Sequence, residues 1–256
     1  MSFNLDNLIS HINDDKKIIL ARRILDKIRI VEKNHTIETT DFLDPYEVRI
    51  AKSILNSFDN ISYQVDGGYK EAERKIIYIY PSYLYQIEKD EVKYLSYNKN
   101  NNIRHKDVLG SILGLGIERE IVGDIIISED YIYIFVKKHI YDFIKYNLDK
   151  ISKYNTSYAN VELNIPKKVF NKRKIVVSSL RLDTFLSSSL NLSRSDVNKI
   201  IKAGHVKVNF KLEDKTSINL EEKDLISVKK YGRIYFDEIL STTKKGKYLI
   251  SIKIPK

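Results

Sequence analysis

Apolar positions in the first sixty residues recur with the period of a helix. Within residues 16–33 they fall near one face, as in an amphipathic helix with one buried side; they are Ile18, Ala21, Leu25 and Ile28. A second helix is predicted to begin at Pro45, because proline favours the first helical position and Asp44 before it can act as the N-cap. Residues 1–62 are therefore predicted to form a helical N-terminal domain.

The pattern changes between about residue 61 and residue 165. Short runs of β-branched and aromatic residues predict strands; they are KIIYIY, VKYLSY, DIIIS and YIYIFV. Gly67 and Gly68 mark a turn after the run ISYQVD. Helices are predicted at 104–115 and, from a second amphipathic run, at 137–154. Interleaved strands and helices predict a compact α+β domain at 63–168.

The stretch from Ser179 to Asn209 predicts a short helix, a tight turn, a second helix and a strand. The first helix has an apolar stripe at helical spacing, formed by Leu182, Phe185, Leu186 and Leu190. Ser193 is the expected N-cap of the second helix, with Asp196 as its capping-box partner. Gly204 stands where helices commonly end in a left-handed turn.

The second of these helices has a basic face. At about 100° per residue, Val197, Ile200 and Ile201 lie on one side. The opposite side contains no carboxylate and consists of Arg194, Asn198, Lys199 and Lys202. Any surface helix needs a charged outer face for solubility, so the pattern allows either a solvated face or a nucleic-acid-binding face.

The distribution of charge favours the second interpretation. The 256 residues include 44 Lys and Arg against 34 Asp and Glu. Residues 1–170 contain 25 of each sign, whereas residues 171–256 contain 19 basic and 9 acidic residues. The whole excess of +10 therefore lies at the C-terminal end, as a polyanion-binding surface requires. The basic, unpatterned residues 166–174 are predicted to be a linker or a sheet edge leading into a C-terminal domain at 174–256.

Other features exclude several classes of protein. The chain has no cysteine, which excludes disulfides, thiolate metal sites and thiol catalysis. Its five histidines are not spaced as metal ligands are. Its serine, histidine and aspartate residues do not occur in the order of a catalytic triad. We therefore predict no metal, no cofactor and no small-molecule substrate. The N-terminus has no signal-peptide pattern, and no apolar run approaches about 18 residues. A cytoplasmic protein without a membrane partner is predicted.

The glycine-rich run GSILGLG at 110–116 does not have the spacing of a dinucleotide-binding loop. It also ends a predicted helix, whereas a phosphate-binding loop opens one. Gly114 and Gly116 are better explained as a helix stop followed by a turn.

The C-terminal third resembles a known RNA-binding module. The motifs RLD, SRS, IKAG with the following V and VN, and DLISV with KKYGR are similar to the alpha-L domain named after the small-subunit ribosomal protein S-four. The resemblance implies two helices on a small bent β-sheet, with an RNA face formed by Arg181, Arg194, Ser195, Lys199, Lys202, Lys207 and Asn209. To this face we add Asn198 from the basic helix, His205 beside the turn and Arg233 at the end of KKYGR.

Two further motifs extend the resemblance over nearly the whole chain. FLDPYE at 42–47 and RHKDVLGSILGLGIEREIVGDI at 104–125 resemble signatures of the YlmH family of bacterial RNA-binding proteins. This resemblance implies an α+β protein with a helical N-terminal domain, a central domain similar to an RNA-recognition fold and a C-terminal S-four-type domain. It also suggests a second RNA-facing patch, or else a solvated helix end, formed by Arg104, His105, Lys106 and Arg119.

The family resemblance implies a non-enzymatic function on the ribosome. The expected partners are structured rRNA and tRNA on the large subunit, in quality control or rescue of stalled translation. Two alternatives remain open, a cell-division scaffold and an RNA-modifying enzyme. Pseudouridine synthases use an aspartate in a tripeptide similar to Arg181-Leu182-Asp183. Here that tripeptide opens an amphipathic helix, so Asp183 is expected to hold Arg181 or to favour the helix N-terminus.

Overall fold

The chain folds into two compact units. A computed structural model describes residues 15–99 and 102–255. Unit 1 comprises residues 1–166 and unit 2 comprises residues 167–256. Both units combine helices with antiparallel sheets, so the predicted α+β class is confirmed. The division of the first 168 residues into two domains stays a prediction.

The first part of unit 1 packs two helices on a three-stranded sheet of order β1-β3-β2. Its elements are α1 (Asp15–Asn34), β1 (Glu38–Thr39), α2 (Pro45–Leu55), β2 (Ile61–Asp66) and β3 (Ile76–Pro81). The apolar faces of both helices meet the sheet in one core, which includes Ala21, Leu25 and Ile28 of α1 and Ile77 and Ile79 of β3. The chain turns after β2 where Gly68 adopts φ +83°, which confirms the predicted turn.

Helix α2 begins at the predicted cap. The Asp44 side chain accepts a hydrogen bond of 2.9 Å from the Glu47 amide, and the Glu47 carboxylate accepts one of 2.8 Å from the Asp44 amide. These bonds satisfy two N–H groups that a helix start leaves without partners. Lys17 of α1 bonds the other Glu47 oxygen at 2.6 Å, so the same residue also ties α1 to the start of α2.

Replacing Asp44 by alanine will lower the free energy of unfolding by about 1 kcal/mol, because the α2 cap is lost. Urea unfolding followed by circular dichroism measures this difference. Asp59, an exposed acidic residue after α2, provides the matched control, and Asp59→Ala will leave the midpoint unchanged. Equal effects of the two substitutions would contradict a specific capping role.

The second part of unit 1 has a three-stranded sheet of order β4-β6-β5 covered by helices. Its elements are β4 (Val92–Asn98), α3 (His105–Gly114), a 3-10 turn (Arg119–Ile121), β5 (Val122–Ile127), β6 (Tyr131–Lys137), a 3-10 turn (Lys138–Ile140), α4 (Tyr141–Asn147), β7 (Lys150–Ile151) and β8 (Tyr154–Asn155). All four predicted strand runs are confirmed. Gly116 adopts φ +82° after α3, which confirms the stop and turn predicted there.

The helix predicted at 137–154 forms only over residues 141–147, after the end of β6 and a 3-10 turn. Helix α4 ends at Asn147, and residues 150–155 form the short hairpin β7–β8. Leu148 and Ile151 are buried in the core, and their spacing of three residues fits either a helix or this hairpin. Ser152 has φ +56°, a left-handed conformation that reverses the chain and cannot occur inside a helix.

Unit 2 packs two helices against a six-stranded antiparallel sheet of order β11-β10-β12-β13-β14-β9. Its elements are β9 (Phe170–Val177), α5 (Leu182–Leu190), α6 (Arg194–Lys202), β10 (Val206–Val208), β11 (Lys211–Leu212), β12 (Leu225–Val228), β13 (Gly232–Thr242) and β14 (Tyr248–Pro255). The rings of Phe185 and Phe236 meet in the core at 5.6 Å. Strand β9 lies at the edge of this sheet. Residues 171–174 therefore form a sheet edge, one of the two structures predicted for them, and not a linker.

Candidate nucleic-acid interface

The helix pair of unit 2 is shaped by local signals in the sequence. Helix α5 ends at Leu190, the following Asn191 turns the chain with its φ of +55°, and Ser193 then caps α6. The Ser193 hydroxyl accepts a hydrogen bond of 3.1 Å from the Asp196 amide and donates one of 2.7 Å to the Asp196 carboxylate. The Asp196 carboxylate therefore accepts a hydrogen bond from the Ser193 hydroxyl. In the predicted capping box it would accept one from the Ser193 backbone N–H.

The exposed face of α6 is basic but not free of carboxylates. Arg194, Ser195, Lys199 and Lys202 are exposed as predicted, and Arg194 donates a hydrogen bond of 3.0 Å to the Ser178 hydroxyl. Asp196 lies 3.6 Å from the Lys199 ammonium, which corrects the expectation of a purely basic face. The Ser193 hydroxyl, and then Lys199, lower the pKa of Asp196, so this carboxylate is charged at neutral pH and offsets part of the helix charge.

Asn198 differs from its neighbours on this helix. The residue is only half-exposed, and its amide oxygen is buried without a hydrogen-bond partner among the described residues. An amide in this position presents less surface to a ligand than Lys199 or Lys202. We therefore place Asn198 at the border between the core and the basic face.

The turn after α6 opens into a groove. Gly204 adopts φ +68° and leads into β10. The groove has a volume of about 340 Å³ and is lined by Gly204, His205, Lys207, Ser227, Val228, Lys229, Gly232 and Arg233. This lining contains three basic side chains and no carboxylate within the part of the chain that the structure describes.

The sheet register places two of the groove cations on one face. Lys207 of β10 is opposite Ser227 of β12, and Ser227 is opposite Arg233 of β13. Residues directly opposite each other across antiparallel strands share a face of the sheet. The Arg233 guanidinium lies over the Phe210 ring at 5.5 Å, which orients it. Sequence reasoning missed Lys229, although it belongs to the quoted KKYGR motif.

Asn209 has a structural task in this region. Its amide donates a hydrogen bond of 2.6 Å to the Asp224 carboxylate and accepts one of 2.9 Å from the Leu225 amide. The residue has φ +50°, a conformation in which asparagine is among the more tolerated residues. These bonds fix the turn after β10 and leave less of the amide for RNA than the sequence suggested.

Arg181 and Asp183 form the pair expected from the sequence. The guanidinium donates two hydrogen bonds, of 3.1 and 2.8 Å, to the two oxygens of Asp183, and the Thr184 amide donates a third of 2.8 Å. Burial alone would raise the pKa of Asp183, but the bonds from Arg181 and Thr184 outweigh it and hold the pKa below its usual range. Arg181 remains exposed on its other side.

The residues of the predicted second patch do not lie together. Arg104 precedes α3 and bonds to Asp107 at 3.2 Å, next to the exposed His105 and Lys106. Arg119 follows the other end of this ten-residue helix, which is about 15 Å long. Its guanidinium bonds the carbonyls of Val122 and Gly123. Arg119 therefore lies beside the start of β5, whereas the other three residues lie at the start of α3.

The cations are unevenly divided between the two units. Unit 2 contains 21 Lys and Arg against 9 Asp and Glu, whereas unit 1 contains 23 against 25. Among the described residues no cluster of three His, Cys, Asp or Glu could hold a metal ion. No described helix has the length and apolar character of a membrane span. The excess charge of unit 2, which includes three basic residues on α6 and three in the groove, suits a polyanion such as RNA.

Three family models match the chain. One described as "YlmH, N-terminal" matches residues 18–84, and one described as "Putative RNA-binding domain in YlmH" matches residues 83–165. The third, described as "S4 domain", matches residues 180–226. The last of these ranges includes α5, α6, β10 and the start of β12, and ends before Arg233.

Similar proteins come from several bacteria. The chain is 31% identical over 258 residues to "Ribosome-associated protein quality control protein P2" of Bacillus subtilis (strain 168), and the match covers 97% of this chain and 99% of that one. It is 42% identical over 67 residues to an uncharacterized RNA pseudouridine synthase of Mycoplasma genitalium, covering 26% and 22%. The solved "Cell division protein ylmH from Streptococcus pneumoniae" matches with a TM-score of 0.49 and 20% identity, covering 57% of this chain and 91% of that one.

Proposed function

Because the chain belongs to the YlmH family, we propose that it is a non-enzymatic RNA-binding protein that acts on the ribosome in quality control of stalled translation. The observation that carries this proposal is the groove beside α6, which is lined by three basic side chains. The groove belongs to unit 2, which holds the excess of positive charge. The relative that matches along nearly the whole chain is named for ribosome-associated quality control. The large subunit and tRNA are the partners we propose, in the cytoplasm.

The RNA face we propose has three parts. The first is the exposed side of α6, the second is the groove, and the third is Arg181 at the start of α5. In detail, the direct contacts come from Arg181, Arg194, Ser195, Lys199, Lys202, His205, Lys207, Lys229 and Arg233. Asn209 supports the turn next to the groove through its hydrogen bond to Asp224. Asn198 lies at the border of the RNA face. We propose that Arg104, His105 and Lys106 form a separate and weaker contact.

Recognition on this face depends on shape and phosphate more than on base sequence. A-form RNA has a deep and narrow major groove whose base edges side chains cannot read. Lysine and arginine side chains on a convex helix and in an adjoining groove can follow its phosphates instead. If about six cations engage phosphates, affinity falls with roughly the fourth to fifth power of the salt concentration.

An RNA-modifying function is not favoured by the site. The match to a pseudouridine synthase covers 67 residues, about a quarter of the chain. Asp183, the residue that such chemistry would use, accepts hydrogen bonds from Arg181 and Thr184, which supports a positioning role for it. The cell-division alternative is not favoured either, because the match that spans nearly the whole chain is to a protein named for ribosome-associated quality control.

Sedimentation with purified ribosomal subunits tests the proposal. We expect the full-length protein to pellet with large subunits in dilute salt and to be released as salt is raised. Mass spectrometry of nucleosides from rRNA and tRNA incubated with the protein should show no new modification. The proposal would be overturned if the protein stays in the supernatant at low salt and does not bind purified rRNA or tRNA.

A further inference from the structure

A second basic pocket lies in unit 1. It has a volume of about 370 Å³ and lies between α1, the segment 40–47, Arg74 and the 3-10 turn before β5. Its basic lining consists of Lys16, Lys17, Arg23, Lys27, Arg74 and Arg119. The pocket combines residues from both regions that match the YlmH models, since Arg74 falls in the first and Arg119 in the second.

Two of these arginines converge on one oxygen. The Arg74 Nε donates a hydrogen bond of 3.2 Å to the Val122 carbonyl, and Arg119 Nη1 donates to the same carbonyl. Arg74 also bonds the Phe42 carbonyl at 2.6 Å, and Arg119 bonds the Gly123 carbonyl at 3.3 Å. Each guanidinium has five N–H donors, so donors remain on both groups after these bonds are made.

Acidic residues lie near the two guanidinium groups, Asp124, Glu120 and Glu73 near Arg119 and Glu47 near Arg74. Within the described residues none of them bonds to either group directly, and neither guanidinium forms an ion pair with a carboxylate. Burial, and then the neighbouring charge of Arg74, lower the pKa of Arg119 to about 10. Arg119 is therefore still protonated at neutral pH. Two like charges held together in a partly buried place repel each other, and an anion between them would relieve that repulsion.

Most carboxylates around the pocket already have other partners. Asp41 lies 3.5 Å from the Lys137 ammonium, and Glu47 lies 2.6 Å from that of Lys17. Asp44 caps α2. Glu120, the fourth acidic residue of the lining, is exposed. Outside the lining, Asp124 accepts bonds from Tyr69 and from the amides that precede β3.

We propose that this pocket binds a phosphate group through Arg74 and Arg119, with Arg23 at its mouth. Arginine is suited to this task because its planar fork donates two parallel hydrogen bonds to phosphate oxygens. The backbone bonds of Arg74 and Arg119 hold both groups in place before the ligand arrives, which lowers the entropic cost of binding. The phosphate comes either from an RNA backbone or from a free phosphate compound.

Titration with inorganic phosphate tests the site in the full-length protein. The background carries Lys202→Ala and Lys207→Ala, so that RNA binding by unit 2 is weakened and the two sites can be told apart. We expect phosphate to shift the arginine Nε–H resonances and to raise the melting temperature. Arg119→Gln should weaken phosphate binding at least about tenfold, because charge-assisted hydrogen bonds are lost, and Arg119→Lys should weaken it less.

Arg23 allows the test to be made without disturbing the fold. It is exposed and lines the pocket, whereas its neighbour Arg22 is exposed and does not line it. Arg23→Gln should weaken phosphate binding about threefold, and Arg22→Gln should leave it unchanged. A response to a short single-stranded RNA without a response to inorganic phosphate would identify the RNA backbone as the source. Equal affinities of the parent, Arg119→Gln and Arg23→Gln proteins for both probes would overturn the proposal.

Discussion

Replacing Lys202 and Lys207 together by alanine will weaken RNA binding and flatten its dependence on salt. Both ammonium groups are exposed, one at the end of α6 and the other in the groove. Each phosphate contact that is lost lowers the slope of log affinity against log salt by about 0.7 to 0.9. The double variant should therefore lose about 1.4 to 1.8 from this slope.

The size of the effect depends on the salt concentration. With such a change in slope, the deficit of the variant grows roughly 25- to 60-fold when salt falls from about 1 M to about 0.1 M. Fluorescence anisotropy with labelled large-subunit rRNA fragments over a series of salt concentrations measures both quantities. A uniform loss of affinity at every salt concentration would show that the fold was damaged and that phosphate contacts were not the cause.

The hairpin turn between β13 and β14 offers the matched control. Lys244 and Lys245 are exposed in that turn and do not line the groove. Their replacement by alanine removes the same charge from unit 2 as the first double variant. An unchanged slope in the control, beside a reduced slope in the Lys202 and Lys207 variant, would locate the docking surface. Equal slopes in both variants would mean that only the net charge of unit 2 matters.

Features that depend on near neighbours in the chain could be predicted from the sequence. Ser193 as an N-cap, Gly204 at the left-handed turn and Pro45 at the start of α2 are all present in the structure. Each is decided by hydrogen bonds or dihedral angles within about four residues. For the same reason the exposed side of α6 could be read directly from the helical period.

Features that depend on partners far away in the chain could not be predicted from the sequence. Asn209 bonds Asp224 across fifteen positions, a contact that exists only after β10 and β12 have paired. The family resemblance groups Arg119 with Arg104, yet α3 lies between them. Arg74 showed no signal of its own, since its partners Phe42 and Val122 are 32 and 48 positions away. Half-buried arginines that bond backbone carbonyls resemble solvated ones in sequence.

Several cations of unit 2 already have a carboxylate partner, and Asp237 is the partner of three of them. This carboxylate is only 5% exposed and lies at a β-bulge in β13. Three ammonium groups surround it, those of Lys253 at 2.5 Å, Lys223 at 3.4 Å and Lys172 at 3.8 Å. The hydrogen bond from Lys253, opposed by burial and reinforced by Lys223, holds the pKa of Asp237 below its usual value.

Asp237→Asn will lower the free energy of unfolding by about 2 kcal/mol at neutral pH, because hydrogen bonds between charged groups are replaced by weaker ones. A carboxylate whose pKa is depressed in the folded state stabilises fully above its unfolded pKa, about 3.9, and loses that contribution as pH falls through the folded value. The difference between parent and variant should therefore be constant from pH 7 to about pH 5 and shrink below about pH 4. Urea unfolding at a series of pH values measures it.

Glu238 provides the control on the same strand, since its side chain is exposed beside Asp237. Glu238→Gln should change the free energy of unfolding by less than about 0.5 kcal/mol at any pH. RNA binding by the Asp237→Asn variant tests whether the lysines around Asp237 act separately from the cations of α6 and the groove. If Lys172, Lys223 and Lys253 serve the fold, removing the Asp237 charge will leave the salt dependence of RNA binding as it is in the parent. A steeper salt dependence in Asp237→Asn would instead show that these lysines reach phosphate once they are released, and that the docking surface extends onto the sheet.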